Sequence, residues 1–297
     1  MTIETVAIVG AGDMGSAVAA CVIEKGMRVV TCLSGRSDRS QALAQDAGMS
    51  DCNSLEAMID EADMLLSIVP PAVAVDFANE VCPLIKASER DVLFVDCNAI
   101  APTTAWKIAV IANQHKVNFQ DVGIVGAAPR PERTPVRFYT SGPWNDLMQE
   151  LATDLIDVRP LGEDIARASS IKMVYASLTK GTHALRAAAL LAGEQLGVSD
   201  EIQAEWQDSL PEAYAAMKNR IPILASDSGR WTGEMREIAK TYESVGLPSG
   251  FHEGAEWMYE FLAETSLAGE TRDEAREKDR SIEEIVALLH EALLSRR

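Results

Sequence analysis

The chain has 297 residues, 47% of them hydrophobic, which is enough for two ordinary domains, each with its own core. Its formal net charge is −18, with 12 basic against 23 acidic side chains before residue 165 and 15 against 22 after it, so neither half offers the basic footprint that nucleic-acid binding needs. No run of ~18 uncharged apolar residues occurs and no basic leader precedes Val6, so a membrane span and secretion are unexpected and a cytoplasmic location is expected.

Val6–Val9 is apolar and β-branched and reads as a strand; a helix follows from about Asp13 to Lys25, stopped by Gly26. Met27–Leu33 is a second strand, and Ser40–Ala47 and Leu55–Glu61 are helical. Met64–Val69 reads as a strand ended by Pro70-Pro71, Val73–Ile85 as a helix, Val92–Cys97 as a strand and Trp106–Gln114 as a helix. Asn118–Val122 and Arg137–Ser141 complete six strands. Strand–helix alternation with fully apolar strands argues for a parallel sheet covered on both faces. After Leu161-Gly162 the pattern changes, and Ile165–Gly197 reads as one long, proline-free helix. Helical stretches follow at about Asp200–Asn219, Trp231–Ser244, Phe251–Ala263 and Ser281–Ser295, with breaks expected at Pro211, Pro222, Gly229 and Gly246-Leu247-Pro248. The mixed charges of Thr271–Arg280 suggest a solvated helix face or linker. The expected domains are therefore 1–164, α/β, and 165–297, all-α.

Cys21, Cys32, Cys52, Cys82 and Cys97 form no C-x-x-C pair, and their apolar contexts suggest reduced core thiols. His115, His252 and His290 have no partner at ligand spacing, so no metal is expected. Trp206, Trp231 and Trp257, with Met217, Met235 and Met258, read as helical core or a subunit interface.

Gly10-Ala11-Gly12-Asp13-Met14-Gly15 is a G-x-G-x-x-G that follows the first strand and opens a helix. Gly10 permits the tight turn, Gly12 lets a pyrophosphate approach the backbone, and Gly15 allows close helix–strand packing. The helix N-terminus adds free N–H groups and partial positive charge. These features predict a Rossmann-type doubly wound parallel sheet that binds a nicotinamide dinucleotide, followed by an all-α C-terminal domain. At the end of the second strand, Ser34, Arg36 and Ser37 stand where an NAD enzyme usually places an acid. Arg36 can meet a 2′-phosphate, so NADP is expected ahead of NAD.

The same loop, Val69-Pro70 closing the third strand, and Val95-Asp96-Cys97-Asn98 ending the fourth resemble the β-hydroxyacid dehydrogenase family, which includes 3-hydroxyisobutyrate and 6-phosphogluconate dehydrogenases. Val69, Pro70 and Asn98 are thereby expected at the cofactor. Asp121-Val122-Gly123-Ile124-Val125-Gly126-Ala127 resembles the family's substrate loop, and Ile171-Lys172 the segment bearing its catalytic lysine. The resemblance implies that Lys172 exchanges the substrate hydroxyl proton while hydride moves, and that Val125, Gly126 and Ala127 touch substrate. On a helix, Tyr175, Ala176, Thr179 and His183 share a face with Lys172. Tyr175, Ala176 and Thr179 are accordingly expected to line the substrate site. Two positions depart from the family: Ala176 replaces an Asn and Val125 a Ser, which removes hydrogen-bonding groups and predicts a more apolar pocket.

The segment after Lys172 looks like that of a subgroup with a distinct C-terminal domain. Ala127-Ala128-Pro129, Thr134-Pro135 and Tyr139–Gly142 also resemble imine reductases, which typically carry Asp or Tyr where Lys172 stands. An NADP-dependent dehydrogenase or reductase is thus the leading expectation, with an imine reductase and a non-catalytic dinucleotide sensor as alternatives. The long helix predicts a homodimer, and the partner is a small molecule rather than nucleic acid or membrane.

Overall fold

The computed structural model describes residues 2–88 and 90–296. It divides into two compact units, Met1–Val174 and Tyr175–Arg297.

In the first unit β1 (Thr5–Val9), α1 (Asp13–Glu24), β2 (Arg28–Thr31), α2 (Asp38–Asp46), β3 (Ser50–Asp51), α3 (Leu55–Glu61) and β4 (Met64–Ser67) alternate. They are followed by α4 (Ala74–Ala87), β5 (Leu93–Asp96), α5 (Pro102–Gln114), β6 (Phe119–Val125), β7 (Val136–Ser141), α6 (Asn145–Met148) and β8 (Ile156–Pro160). The strands form one sheet in the order β3-β2-β1-β4-β5-β6-β7-β8. Every residue of β4, β5 and β6 is buried, as expected where both faces of a parallel sheet are covered. One face packs Val6, Ile8, Met64, Leu66 and Val95 into a core, and the other packs Ala7, Val9, Leu65 and Phe94. This is the period-two alternation that lets one strand feed two cores.

The sheet is parallel from β3 through β6. β7 then runs antiparallel to β6, and β8 returns parallel to β7. Neither β3 nor β8 is evident in the hydrophobic pattern. β3 has two residues, both exposed, and β8 alternates buried Ile156 and Val158 with the ion-paired Asp157 and Arg159. Four of the five cysteines are buried and Cys32 is half-buried, all as free thiols.

The long helix α7 (Arg167–Gln195) begins in the first unit, and the border between the units falls within it. The second unit continues with α8 (Ser199–Ser209), α9 (Pro211–Arg220), α10 (Ala225–Ser244), α11 (Gly250–Glu264), α12 (Arg272–Glu277) and α13 (Ile282–Ser295). Its core includes Trp231, Met235, Ile238, Met258, Tyr259, Phe261 and Leu262. The expected break at Pro211 separates α8 from α9, with the proline at the first position of α9, where its missing N–H costs nothing. The expected break at Gly229 is absent, because Gly229 lies inside α10. An interior glycine costs only about 1 kcal/mol, which the tertiary contacts of α10 outweigh. Thr271–Arg280 takes the first of the two expected forms, a largely solvated helix, α12, and it is tied down at both ends. Thr271 and Glu274 close a capping box on α12, Arg272 reaches Asp227, and Glu270 receives both Lys278 and Arg280 at 2.6 Å. No helix among the described residues is long and apolar enough to cross a membrane.

Candidate active site

The chain leaves β1 through Gly10, whose φ of +100° suits only glycine, and a Cβ there would stand 2.1 Å from Ile68 O. Gly15, in the first turn of α1, approaches so closely that its Cβ would stand 2.1 Å from Gly10 O. Gly12 differs. It precedes α1 with no side-chain cap, and a Cβ there would meet nothing within 4 Å. Protein packing therefore demands two of the glycines, and the third leaves open space over the unpaired amides of a helix N-terminus. That arrangement fits a dinucleotide pyrophosphate. Gly12→Ala is expected to keep the melting temperature while weakening dinucleotide binding about tenfold or more, because a methyl group then occupies the phosphate's approach; calorimetric titration beside thermal unfolding checks both halves. Of the other loop residues, Ala11 is buried and Met14 packs on the core.

Beyond β2, Gly35 at φ +71° and the Arg36 N–H donating to Leu33 O at 3.0 Å form a tight turn. This turn leaves Ser34 and Arg36 exposed on a cavity of about 350 Å³, lined also by Cys32, Asn53, Leu55 and Phe77. The Ser37 hydroxyl accepts from Ser40 N at 3.3 Å and caps α2. Arg39, which sequence reasoning missed, donates to Asp13 Oδ1 at 2.6 Å. With side chains 69% and 51% exposed, that pair is worth less than about 1 kcal/mol and can rearrange for an incoming anion. Its spacing of three residues from Arg36, across the start of α2, was the available signal.

Asn98 is buried and ties two strand ends together. Its Oδ1 accepts from Val69 N at 2.7 Å, and its Nδ2 donates to Asp96 Oδ1 at 2.5 Å and Ser67 Oγ at 3.0 Å. This side chain fixes the turn that carries Val69 and Pro70. Asp96 is pushed up to about 8, by burial first and by the nearby Asp121 second, against the bonds from Asn98. The two acids are register partners on β5 and β6.

Asp121 is also raised by burial, although Ser169 and Ser141 oppose the shift. Its Oδ2 accepts from Ser169 N and Ser141 Oγ, each at 3.0 Å, and its Oδ1 from Ser169 Oγ at 2.6 Å. Ser141 Oγ in turn accepts from Ala168 N at 2.9 Å. The first turn of α7 is thus capped by a carboxylate from inside the sheet, which satisfies amides that helix geometry leaves unpaired. The network also holds Ala166 at φ +73°, a conformation that costs a non-glycine residue about 1 kcal/mol or more. Two residues along β6, Gly123 supplies the bare surface against which α7 lies; a Cβ there would stand 2.3 Å from Ala168 O and 3.1 Å from Lys172 Cβ. A glycine among the β-branched residues Val122, Ile124 and Val125 was the sequence signal for this close approach.

Lys172 is thereby delivered to the end of β6, where its Nζ donates to Ile124 O at 2.5 Å. Val125 is buried, and Gly126 follows at φ +132° with Ala127, both exposed. β1, β4, β5 and β6 are parallel neighbours, so the glycine loop, Val69-Pro70, Asn98 and Lys172 follow one another along the same edge of the sheet. From β1 to β6 is three strand spacings, roughly 14 Å. Tyr175, Ala176 and Thr179 continue α7 in the second unit. Tyr175 is exposed, Ala176 is buried, and the Thr179 hydroxyl donates to Tyr175 O at 3.0 Å.

A glycine crossover of this geometry on a sheet of this order defines a dinucleotide-binding domain of the NAD(P)-dependent dehydrogenase and reductase class. The chain belongs to the family described as the NAD binding domain of 6-phosphogluconate dehydrogenase, whose model matches residues 5–153; residues 194–262 match a domain of unknown function, DUF1932. An uncharacterized 28.5 kDa protein of Methanothermus fervidus is 24% identical over 243 residues, which cover 82% of this chain and 92% of that one. Among solved structures, the fold resembles 3-hydroxyisobutyrate dehydrogenase of Mycobacterium tuberculosis with L-serine (TM-score 0.66, 16% identity, 95% of this chain and 100% of that one). It also resembles a variant imine reductase of Myxococcus stipitatus in complex with NAD+ (TM-score 0.55, 17% identity, 97% and 100%).

Proposed function

We propose that this protein is an NADP-dependent oxidoreductase that moves hydride between the nicotinamide and a small hydroxy acid or a related alcohol or carbonyl compound. The observation that carries the reading is the Lys172 ammonium held on Ile124 O, on the same strand-end edge as the bare Gly12 helix terminus. Bound nicotinamide dinucleotide would supply the hydride donor or acceptor. Gly10–Gly15 bind and orient its pyrophosphate, and Val69 and Pro70, braced by Asn98, shape the next stretch of the edge. In the oxidation direction Lys172 Nζ, as the neutral amine, takes the proton that the substrate hydroxyl gives up and becomes the ammonium; in the reduction direction the ammonium stabilises the developing alkoxide and gives it that proton, returning to the amine. Val125, Gly126 and Ala127 contact the substrate, with Gly126 offering its backbone N–H.

Arg36, with Ser34 and Ser37 beside it, supports NADP over NAD. Arg36→Ala is expected to weaken NADPH about tenfold, through loss of a charge-assisted contact, and to leave NADH unchanged. Direct titration with both nucleotides reads this, and an unaltered ratio removes the preference. The substrate class is tested by assaying hydroxy acids, aldehydes and cyclic imines with both nucleotides; turnover confined to imines would replace the proposal with an imine reductase. Leu178 and Leu185, 74% and 69% exposed on α7, support assembly as a homodimer.

A further inference from the structure

The helical unit contains a cluster that the dinucleotide reading does not use. Trp231, on α10, is only 6% exposed. Lys180 Nζ lies 5.0 Å and Arg220 Cζ 4.8 Å from its ring centre; the His183 imidazole lies nearly parallel at 6.2 Å, and the Tyr259 ring stands edge-on at 5.4 Å. Lys180 pairs with Glu234, and Arg220, Arg230 and Arg272 all pair with Asp227. Four cations therefore meet two carboxylates, in a chain whose overall charge is −18.

Three polar atoms around this indole are buried without a hydrogen-bond partner: Trp231 Nε1, Arg220 Nε and His183 Nδ1. An unpartnered buried polar atom is costly, so three around one ring mark a place built for a hydrogen-bonding ligand. The indole and the guanidinium Nε can only donate. His183 is pushed down to about 4, chiefly by burial and then by Arg220 and Arg186, so at neutral pH it is an uncharged imidazole that can present a hydrogen at Nδ1.

We propose that this cluster is a binding site for a small organic carboxylate, whose oxygens accept from Trp231 Nε1 and Arg220 Nε with His183 Nδ1 as a third donor. The excess positive charge selects an anion. The aromatic surroundings favour a carboxylate with an apolar body over a phosphate, whose stronger hydration would have to be given up. Arg230 and Arg272, with side chains 50% and 39% exposed, place positive charge on the solvent side of the cluster.

Calorimetric titration of the nucleotide-free protein with sodium acetate, sodium benzoate and inorganic phosphate tests the site. The expected result is saturable carboxylate binding without phosphate binding. Trp231→Phe, which keeps the ring faces and removes the N–H, should weaken it about tenfold. Gly12→Ala should leave it unchanged, which keeps this outcome separate from the fate of the dinucleotide proposal. In the wild-type protein the Trp231 indole proton resonance should move downfield as the site fills, a readout that needs no variant to fold. An absence of saturable carboxylate binding, equal binding by Trp231→Phe, or an unmoved indole proton overturns the proposal. Binding of phosphate alone overturns the carboxylate class.

Discussion

Lys172→Ala should lower kcat by about 10²–10⁴-fold, the range associated with losing a positioned proton-transfer group, while dinucleotide affinity stays the same. The separation follows from the layout of the sheet edge. The phosphate loop is built by Gly10, Gly12 and Gly15 on β1 and α1, whereas Lys172 reaches the end of β6 from another helix. Removing the side chain beyond Cβ leaves intact the Gly123 contact and the Asp121 cap, so α7 should keep its seat. Lys172→Arg sharpens the test: it keeps a cation but cannot release a proton at working pH, so it should restore little of the rate. Steady-state kinetics beside nucleotide titration decides the matter, and full turnover by Lys172→Ala ends the proton-transfer role.

The second large effect concerns stability against pH. Asp96 is held at about 8 in the folded protein against 3.8 for an unperturbed aspartate, so the folded state binds its proton more tightly than the unfolded state does. The stabilisation is complete below 3.8 and is lost as pH rises through about 8, on the order of 5 kcal/mol across that window. Asp227 works in the opposite sense. Burial alone would raise it, but Arg272 and Arg220 hold it below the usual range, so its contribution is present at neutral pH and lost in acid. Urea unfolding of the wild type and Asp96→Asn at several pH values isolates the Asp96 part as the difference between the two curves. That difference should grow as pH rises from 4 to 8 (about the window above), with the amide variant gaining. Parallel curves would mean that Asp96 ionises as an ordinary surface carboxylate does.

The parts legible in the sequence are those whose physics is local. Gly10–Gly15 announces itself because each glycine answers a backbone demand within a few residues, and Val6–Val9 and Met64–Ser67 because two-faced burial requires an unbroken apolar run. β8 escaped because an edge strand that alternates Ile156 and Val158 with Asp157 and Arg159 lacks such a run. Gly229 misled because a glycine's local penalty is smaller than the packing of the helix that contains it. The Asp121–Ser169 cap and the Trp231 cluster were illegible for another reason: Asp121 and Ser169 lie 48 residues apart, Lys180 and Glu234 54, and Asp227 and Arg272 45, and only folding brings them together.

The two margins of the sheet have a consequence for handling the protein in concentrated solution. β3 offers two exposed residues, Ser50 and Asp51, and β8 shows the guanidinium and carboxylate of Arg159 and Asp157 among its backbone groups. Neither rim is long, flat or greasy enough to recruit a foreign strand, so runaway cross-β stacking finds no template at either border.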